Sequence, residues 1–343
     1  MSNARQARRR MIGVSLGAKT MAEALAALPR IAAEADIAEL RLDYFEEPYD
    51  LERLLADRPL PVIVTNRPPR EGGRCAAPDA ERVAVLQRAA ALGAEYVDLE
   101  WDAATPAALG PIKDAGAQVL VSRHSFAELP ADFADWAGQM VERGADVVKI
   151  VGMARDVRDA LPVFRVFARA DRPTIAIAMG EPGLASRVLA LRYDTCFLTY
   201  ATLGSGERVA PGQLPIAEMH AVYRADRLGP RTRVYGILGS RVPTEIVAAQ
   251  NADFAARGTD AVAVPFLATA PAPEILRAYH ELPIAGWRIL DEADQTSAVE
   301  AVDELGAAAR RERKINLVVA ESDRLRGEWE TNASSPHFSA ARV

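Results

Sequence analysis

The sequence predicts an α/β fold: a (β/α)8 barrel followed by a smaller α/β domain. Three observations predict it. From Met11 to about Ala225, short apolar runs alternate eight times with amphipathic stretches of helical period. Charged and polar residues recur at the C-terminal ends of those runs, where the strands of such a barrel open into one mouth. The alternation pauses at Asp226-Arg-Leu-Gly-Pro-Arg-Thr-Arg233, a linker composition, and then starts again.

In chain order, strands are expected at Met11–Leu16, Ile37–Tyr44, Pro61–Asn66, Tyr96–Trp101, Gln118–Ser122, Asp146–Val151, Thr174–Met179 and Cys196–Ala201. Helices are expected between them, at Thr20–Ala33, Asp79–Leu92, Asp132–Arg143 and Asp156–Ala168. A doubly wound nucleotide-binding sheet is the alternative, but it wants a Gly-rich turn after an early strand. The only nearby stretch, Gly204-Ser-Gly206, comes late and lacks the third glycine. In the second domain, strands are expected at Val234–Leu238, Ala261–Phe266, Ala285–Leu290 and Ile315–Ala320. Helices there are expected at Thr244–Ala256, Pro273–Glu281 and Ala298–Arg311. The expected division is a basic arm at 1–10, the barrel at 11–225, the linker at 226–233, the second domain at 234–332 and a tail at 333–343.

Composition narrows the function classes. The chain has 343 residues, enough for more than one core, and a net charge of -6, which argues against general nucleic-acid binding. The arm carrying Arg5, Arg8, Arg9 and Arg10 has no apolar run behind it, so it does not read as a secretory signal. No apolar run spans a bilayer. Cys75 and Cys196 have neither disulfide-framework nor metal-ligand spacing. The expected setting is the cytoplasm, with no nucleic-acid or membrane partner.

Lysine is the sharpest local signal. Only Lys19, Lys113, Lys149 and Lys314 occur, and arginine supplies nearly all other positive charge. Lys149 stands inside Val147-Val-Lys-Ile-Val151, the most apolar strand candidate. An ammonium there must be paired or lose its proton, which arginine cannot do. The plain alternative is a strand-end lysine snorkelling to water. The neighbouring strand ends weigh against that alternative. The second strand carries Glu39, Arg41 and Asp43 on one face, the third leads to Arg67 and Glu71, and the fourth bears Asp98 and Glu100. The fifth ends at His124, the seventh leads to Arg187, and the eighth to Ala210-Pro-Gly-Gln213. Each has a dull explanation alone; Glu39, Arg41 and Asp43, for example, could be an ion-pair layer. Together they suit a metal-free lyase or aldolase. A desolvated lysine amine forms a Schiff base with an anionic ketone, a histidine moves a proton, and arginines hold a carboxylate. Glu71 would orient His124 and favour its charged form. No HExxH or Cys/His cluster suggests a metal, and no cofactor is expected.

Several spaced motifs, in order, resemble the type I 3-dehydroquinate dehydratases. They are Glu39-Leu-Arg-Leu-Asp43, Arg67-Pro-Pro-Arg-Glu-Gly-Gly73, Ser122-Arg-His-Ser-Phe126, Ala145-Asp-Val-Val-Lys-Ile150, Met179 through Ser186-Arg187, and Ala210-Pro-Gly-Gln213. The resemblance implies dehydration of 3-dehydroquinate to 3-dehydroshikimate in the shikimate pathway. It implies Lys149 as the imine-forming amine, His124 as the proton carrier and Glu71 as its partner. Glu39, Arg41 and Arg67 would meet the ring hydroxyls, and Arg187 with Gln213 the carboxylate. The loop Gly204–Gln213 would fold over the substrate. One residue departs from the pattern: Val209 stands where the family has a serine. Losing one neutral hydrogen bond costs about 0.5–1.5 kcal/mol, which predicts weaker binding and intact chemistry.

The second domain resembles the substrate-binding half of shikimate dehydrogenase. Tyr235-Gly-Ile-Leu-Gly239, Gln250-Asn-Ala-Asp-Phe254 and the hairpin Ile315–Gly327 carry this weaker likeness. That family's paired serines have no counterpart in Ser240–Glu245, no lysine stands in Trp287–Asp294, and the matching aspartate is missing near Trp329–Asn332. No GxGxxG turn follows for NADP. The implied reading is a non-catalytic appendage, kept for packing, homodimer contacts or regulation. A non-enzymatic metabolite binder and a different Schiff-base lyase are the competing readings of the whole chain.

Overall fold

A computed structural model describes residues 10–56, 58–204, 210–321 and 324–330. Residues 1–9, Val209 and the tail from 331 onward lie outside the described residues, so the expectations placed on them stand only in the sequence.

The first sheet is built from β1 (Met11–Leu16), β2 (Ile37–Arg41), β3 (Val62–Thr65), β4 (Tyr96–Glu100), β5 (Gln118–Ser125), β6 (Val147–Met153), β7 (Thr174–Met179) and β8 (Leu198–Ala201). Between and after them run α1 (Met21–Glu34), α2 (Leu51–Leu55), α3 (Asp79–Ala91), α4 (Pro106–Asp114), α5 (Phe133–Glu142), α6 (Ala160–Arg169), α7 (Leu184–Leu189) and α8 (Ile216–Ala221). Every strand pairing described in this sheet is parallel, in the order β7-β6-β5-β4-β3-β2-β1-β8. The ring closes between β7 and the approach to β8. There the Thr174 N–H donates to Thr195 O and the Phe197 N–H to Thr174 O, both at 2.8 Å. This is the (β/α)8 barrel that the alternation predicts.

Strand alternation divides the core in two. Ile37, Ile63, Leu120, Val147, Val151, Ile175, Ile177 and Leu198 form an inner apolar cluster, while Ala38, Val62, Val64, Val119, Val121, Val148, Ile150 and Ala176 pack outward under the helices. Lys149 lies between Val147 and Val151, so the two-residue period aims it into the barrel. It is only 4% exposed, which rules out snorkelling. The second strand is shorter than expected, because residues 42–44 turn into a 3-10 helix.

The second sheet comprises β9 (Arg233–Gly239), β10 (Ala261–Leu267), β11 (Ile284–Ile289), β12 (Glu304–Leu305), β13 (Leu317–Glu321) and β14 (Arg324–Glu328), with α9 (Thr244–Ala256), α10 (Ala272–Ala278), α11 (Glu292–Ser297) and α12 (Ala307–Glu312). Its order is β10-β9-β11-β13-β14-β12, with β9, β10 and β11 parallel and the β13–β14 hairpin antiparallel. The expected helix Ala298–Arg311 is not one element. A 3-10 turn at Ala298–Ala301 gives way to β12, and α12 follows. Sheet pairing overrides the helical period here: the Asp303 N–H donates to Leu325 O at 2.8 Å and the Gly306 N–H to Gly327 O at 2.9 Å.

Helix α7 shows how tightly the barrel's mouth is fixed. Every residue from Ala185 to Leu189 is buried, and a Cβ built on Gly183, at its start, would collide with the Ala178 carbonyl of β7. Replacing Gly183→Ala should therefore destabilise the fold by about 1–3 kcal/mol through overpacking. Denaturant unfolding against the wild type measures it, and an unchanged midpoint would contradict this packing.

Candidate active site

Lys149 Nζ lies 2.9 Å from Glu39 Oε1, 2.7 Å from Asp98 Oδ2 and 3.1 Å from the Tyr200 hydroxyl. The registers of β2, β4, β6 and β8 bring these four side chains to one level inside the barrel. Burial pulls the ammonium's pKa down, but Asp98 and Glu39 overcome it and raise it above the ordinary lysine value. Burial likewise pushes both carboxyls up, and the surrounding cations win. Lys149 and Arg41 hold Glu39 below its ordinary value; Arg67 and Lys149 do the same to Asp98, further. The desolvated neutral amine expected from the sequence is thus corrected: in this structure Lys149 is a paired ammonium.

The counter-charges are themselves held. Glu39 also accepts from Ser15 and Thr65, each at 2.8 Å. Asp98 meets Arg67 at 2.7 Å, Arg67 meets Glu100 at 2.8 Å, and Glu100 meets Arg82 at 2.7 Å. Arg82 reaches Asp79 at 2.9 Å, near the surface. A ladder of alternating charge therefore runs out from the lysine. Most of Arg67's donors are spent on it, including one to Ser122 at 2.7 Å. Arg41 is also engaged, bidentate to Asp43 at 2.8 and 2.7 Å. The ion-pair reading of Glu39, Arg41 and Asp43 is half right: Arg41 and Asp43 pair, while Glu39 turns to the lysine.

His124 stands next to last on β5, beside Glu71, which follows β3. Glu71 Oε2 accepts the His124 backbone N–H at 2.7 Å and faces Nδ1 at 2.9 Å. Burial raises the Glu71 pKa to about 7. Burial, then Arg67 and Lys149, push His124 well below its ordinary value. The expectation that Glu71 favours charged His124 is corrected, because desolvation and two nearby cations outweigh one carboxyl that is itself hard to ionise. His124 stays neutral. With Glu71 ionised, Nδ1–H donates to it and leaves Nε2 as a base.

Arg187 differs from Arg41 and Arg67, the other arginines of the cavity. It is 2% exposed, and its Nη2 donates to Pro211 O at 2.8 Å. Its buried Nε has no partner, and burial alone lowers its pKa to about 10. A desolvated guanidinium short of counter-charge is a site for an anion. Gln213 turns its Oε1 to the Ala210 N–H at 3.1 Å. One cavity at the C-terminal mouth of the barrel brings together the eight side chains to which the resemblance assigns a role, Glu39, Arg41, Arg67, Glu71, His124, Lys149, Arg187 and Gln213, while Asp43, Asp98 and Glu100 stand behind its lining as ion-pair partners. Ser15, Phe126 and Tyr200 line it too and went unnoticed as site residues. Tyr200 was detectable, two residues after inward-facing Leu198 on β8. Among the described residues, no His, Cys, Asp and Glu group could hold a metal ion, and no helix is long and apolar enough to cross a membrane.

The chain matches the family description "Type I 3-dehydroquinase" over residues 12–230. It is 37% identical over 215 residues to the bifunctional 3-dehydroquinate dehydratase/shikimate dehydrogenase of Arabidopsis thaliana, a match covering 61% of this chain but 36% of that protein. The chain thus spans about a third of that relative's length. It is 34% identical over 223 residues to the 3-dehydroquinate dehydratase of Desulfotalea psychrophila, covering 62% of this chain and 97% of that one. A likeness of fold extends across both sheets to the structure of dehydroquinate dehydratase and shikimate dehydrogenase from S. pombe AroM, with a TM-score of 0.51 over 94% of this chain and 64% of that one, at 21% identity. With its matched residues 12–230 holding the whole barrel and its charged mouth, the chain belongs to the type I 3-dehydroquinase family.

Proposed function

We propose that this chain dehydrates 3-dehydroquinate to 3-dehydroshikimate through an imine on Lys149, as a step of the shikimate pathway. The observation that carries the reading is the pairing of Lys149 with Glu39 and Asp98 in a cavity shared with His124 and with Arg187, whose Nε is unpartnered. Ammonium plus ketone gives a protonated imine plus one water. The site therefore holds one positive charge before and after, and the two carboxylates that stabilise the ammonium stabilise the iminium without rearranging. Arg187, with Gln213, takes the substrate carboxylate. Glu39, Arg41 and Arg67 border the ring hydroxyls.

The iminium draws electrons from the neighbouring carbon and acidifies its C–H. His124 Nε2 removes that proton and returns it to the departing hydroxyl, which leaves as water. A second water then hydrolyses the imine, restoring the ammonium and releasing the enone. Glu71 sets the tautomer of His124. Once ionised, it also raises the base strength of Nε2.

We further propose that the second domain carries out no dehydrogenation of its own. Trp287–Asp294 holds no lysine for that chemistry, and the Ser240 N–H at the end of β9 is bonded to Asp291.

Purified protein should convert 3-dehydroquinate to product with the absorbance rise of an enone, and His124→Ala should lower kcat by about 10²–10⁴-fold. Because Glu71 has its pKa raised to about 7, kcat/KM should climb with pH through an ionisation near that value. Glu71→Gln should lose that inflection; its persistence would show that another group is responsible. No absorbance rise at any pH would sink the dehydratase reading. Separately, NADPH with 3-dehydroshikimate should show no oxidation above background, and steady turnover would refute the second proposal.

A further inference from the structure

Among the described residues, the second domain touches the barrel at the turn that follows β6 and along the helix that follows β7. The first is the 3-10 turn Val157–Asp159, which follows β6 and leads into α6. Both backbone groups of Val157 are taken by the second domain. Its N–H donates to Thr269 Oγ1 at 3.0 Å, and its carbonyl accepts the buried Tyr279 hydroxyl at 2.6 Å. Two ion pairs flank this contact, Arg158 to Glu274 at 2.8 Å and Arg165 to Glu281 at 2.6 Å. They are largely exposed and add little of their own. The hydrogen bonds to Val157 are the selective part: losing Thr269 costs its buried N–H a partner, while its carbonyl, which also accepts the Ala160 N–H, loses one of two bonds without Tyr279.

The second place is α7. β10 is the outermost strand of its sheet, and it packs against α7, which rests on β7 from the other side. Held between β7 and β10 and buried from Ala185 to Leu189, this helix has little room to shift without disturbing its packing. Arg187 belongs to that helix, and Pro211, which accepts from it, belongs to the segment carrying Gln213. The route runs from second domain to α7, and from α7 to the desolvated guanidinium in the cavity.

We propose that the second domain is a positioning domain, which by clamping Val157 and α7 sets the placement of Arg187 and hence the barrel's hold on the substrate carboxylate. This rests on the dehydratase reading for the identity of the anion. Tyr279 and Thr269 are positioning residues in it, acting through Arg187. The domain contributes nothing to the bonds made and broken at Lys149. Loosening it weakens ground-state binding and leaves the chemical step alone.

The test uses the full chain carrying Tyr279→Phe and Thr269→Val together, which removes both hydroxyls and keeps the volumes. KM for 3-dehydroquinate should rise about 5–10-fold with kcat within twofold. Amide hydrogen exchange should quicken in 157–160 and 184–191 and stay unchanged in the strands from β2 to β5. Thr269→Ser, which keeps the hydroxyl, should behave as wild type beside Thr269→Val. Faster exchange in α7 with an unchanged KM would overturn the inference, as would an α7 whose exchange does not respond or a loss confined to kcat. Absence of turnover in the wild type would instead sink the dehydratase reading, so the two failures are distinguishable.

Discussion

The contact on which the rest depends is the buried ammonium of Lys149 between Glu39 and Asp98. A single cation inside a barrel of Ile, Val and Leu side chains would be prohibitive. Two carboxylates solve that problem and create another, because they too are desolvated. Ser15 and Thr65 settle Glu39, while Arg67 and Ser122 settle Asp98. The demand passes outward through Glu100 and Arg82 until Asp79 reaches water. The ladder follows from placing one reactive amine where water is excluded.

Conservation of charge turns that arrangement to use. In the proposed mechanism the iminium has the charge of the ammonium it replaces and sits in the same place, so the carboxylates are organised for it before substrate arrives. Such preorganisation is the usual source of large electrostatic effects in catalysis. His124 works under the opposite rule. Burial, with the nearby cations Arg67 and Lys149, holds its imidazole well below the ordinary histidine value, which favours the neutral base that the proposed mechanism needs. Arg187 lacks any such balance, which suits the carboxylate-binding role proposed for it.

Much of this was legible in the sequence, because barrel strands are apolar runs and their ends face one way. Lys149 between Val147 and Val151, and the motifs around Glu39, Glu71, His124 and Arg187, pointed to eight side chains that share one cavity, while Asp43, Asp98 and Glu100, named with them, stand behind it. What the sequence could not show is which partner each charge chooses. Arg41 takes Asp43 two residues away, while Glu39 reaches across the barrel to a lysine 110 residues later. The lowered pKa of His124 comes from its burial and from Arg67 and Lys149, distant in sequence, whereas its local motif points only to Glu71. The stretch 298–311 was misread because a two-residue strand is fixed by its neighbour β14, not by its own period. The clamp on Val157 lies across the domain contact and has no sequence signature.

The most direct test of the central claim is chemical trapping at the lysine. The protein is mixed with 3-dehydroquinate, reduced with borohydride and digested, and the adduct is mapped by mass spectrometry. A single adduct on Lys149, absent in Lys149→Met, is the predicted result. An adduct on Lys19, Lys113 or Lys314 instead, or turnover with no adduct at all, would contradict the account.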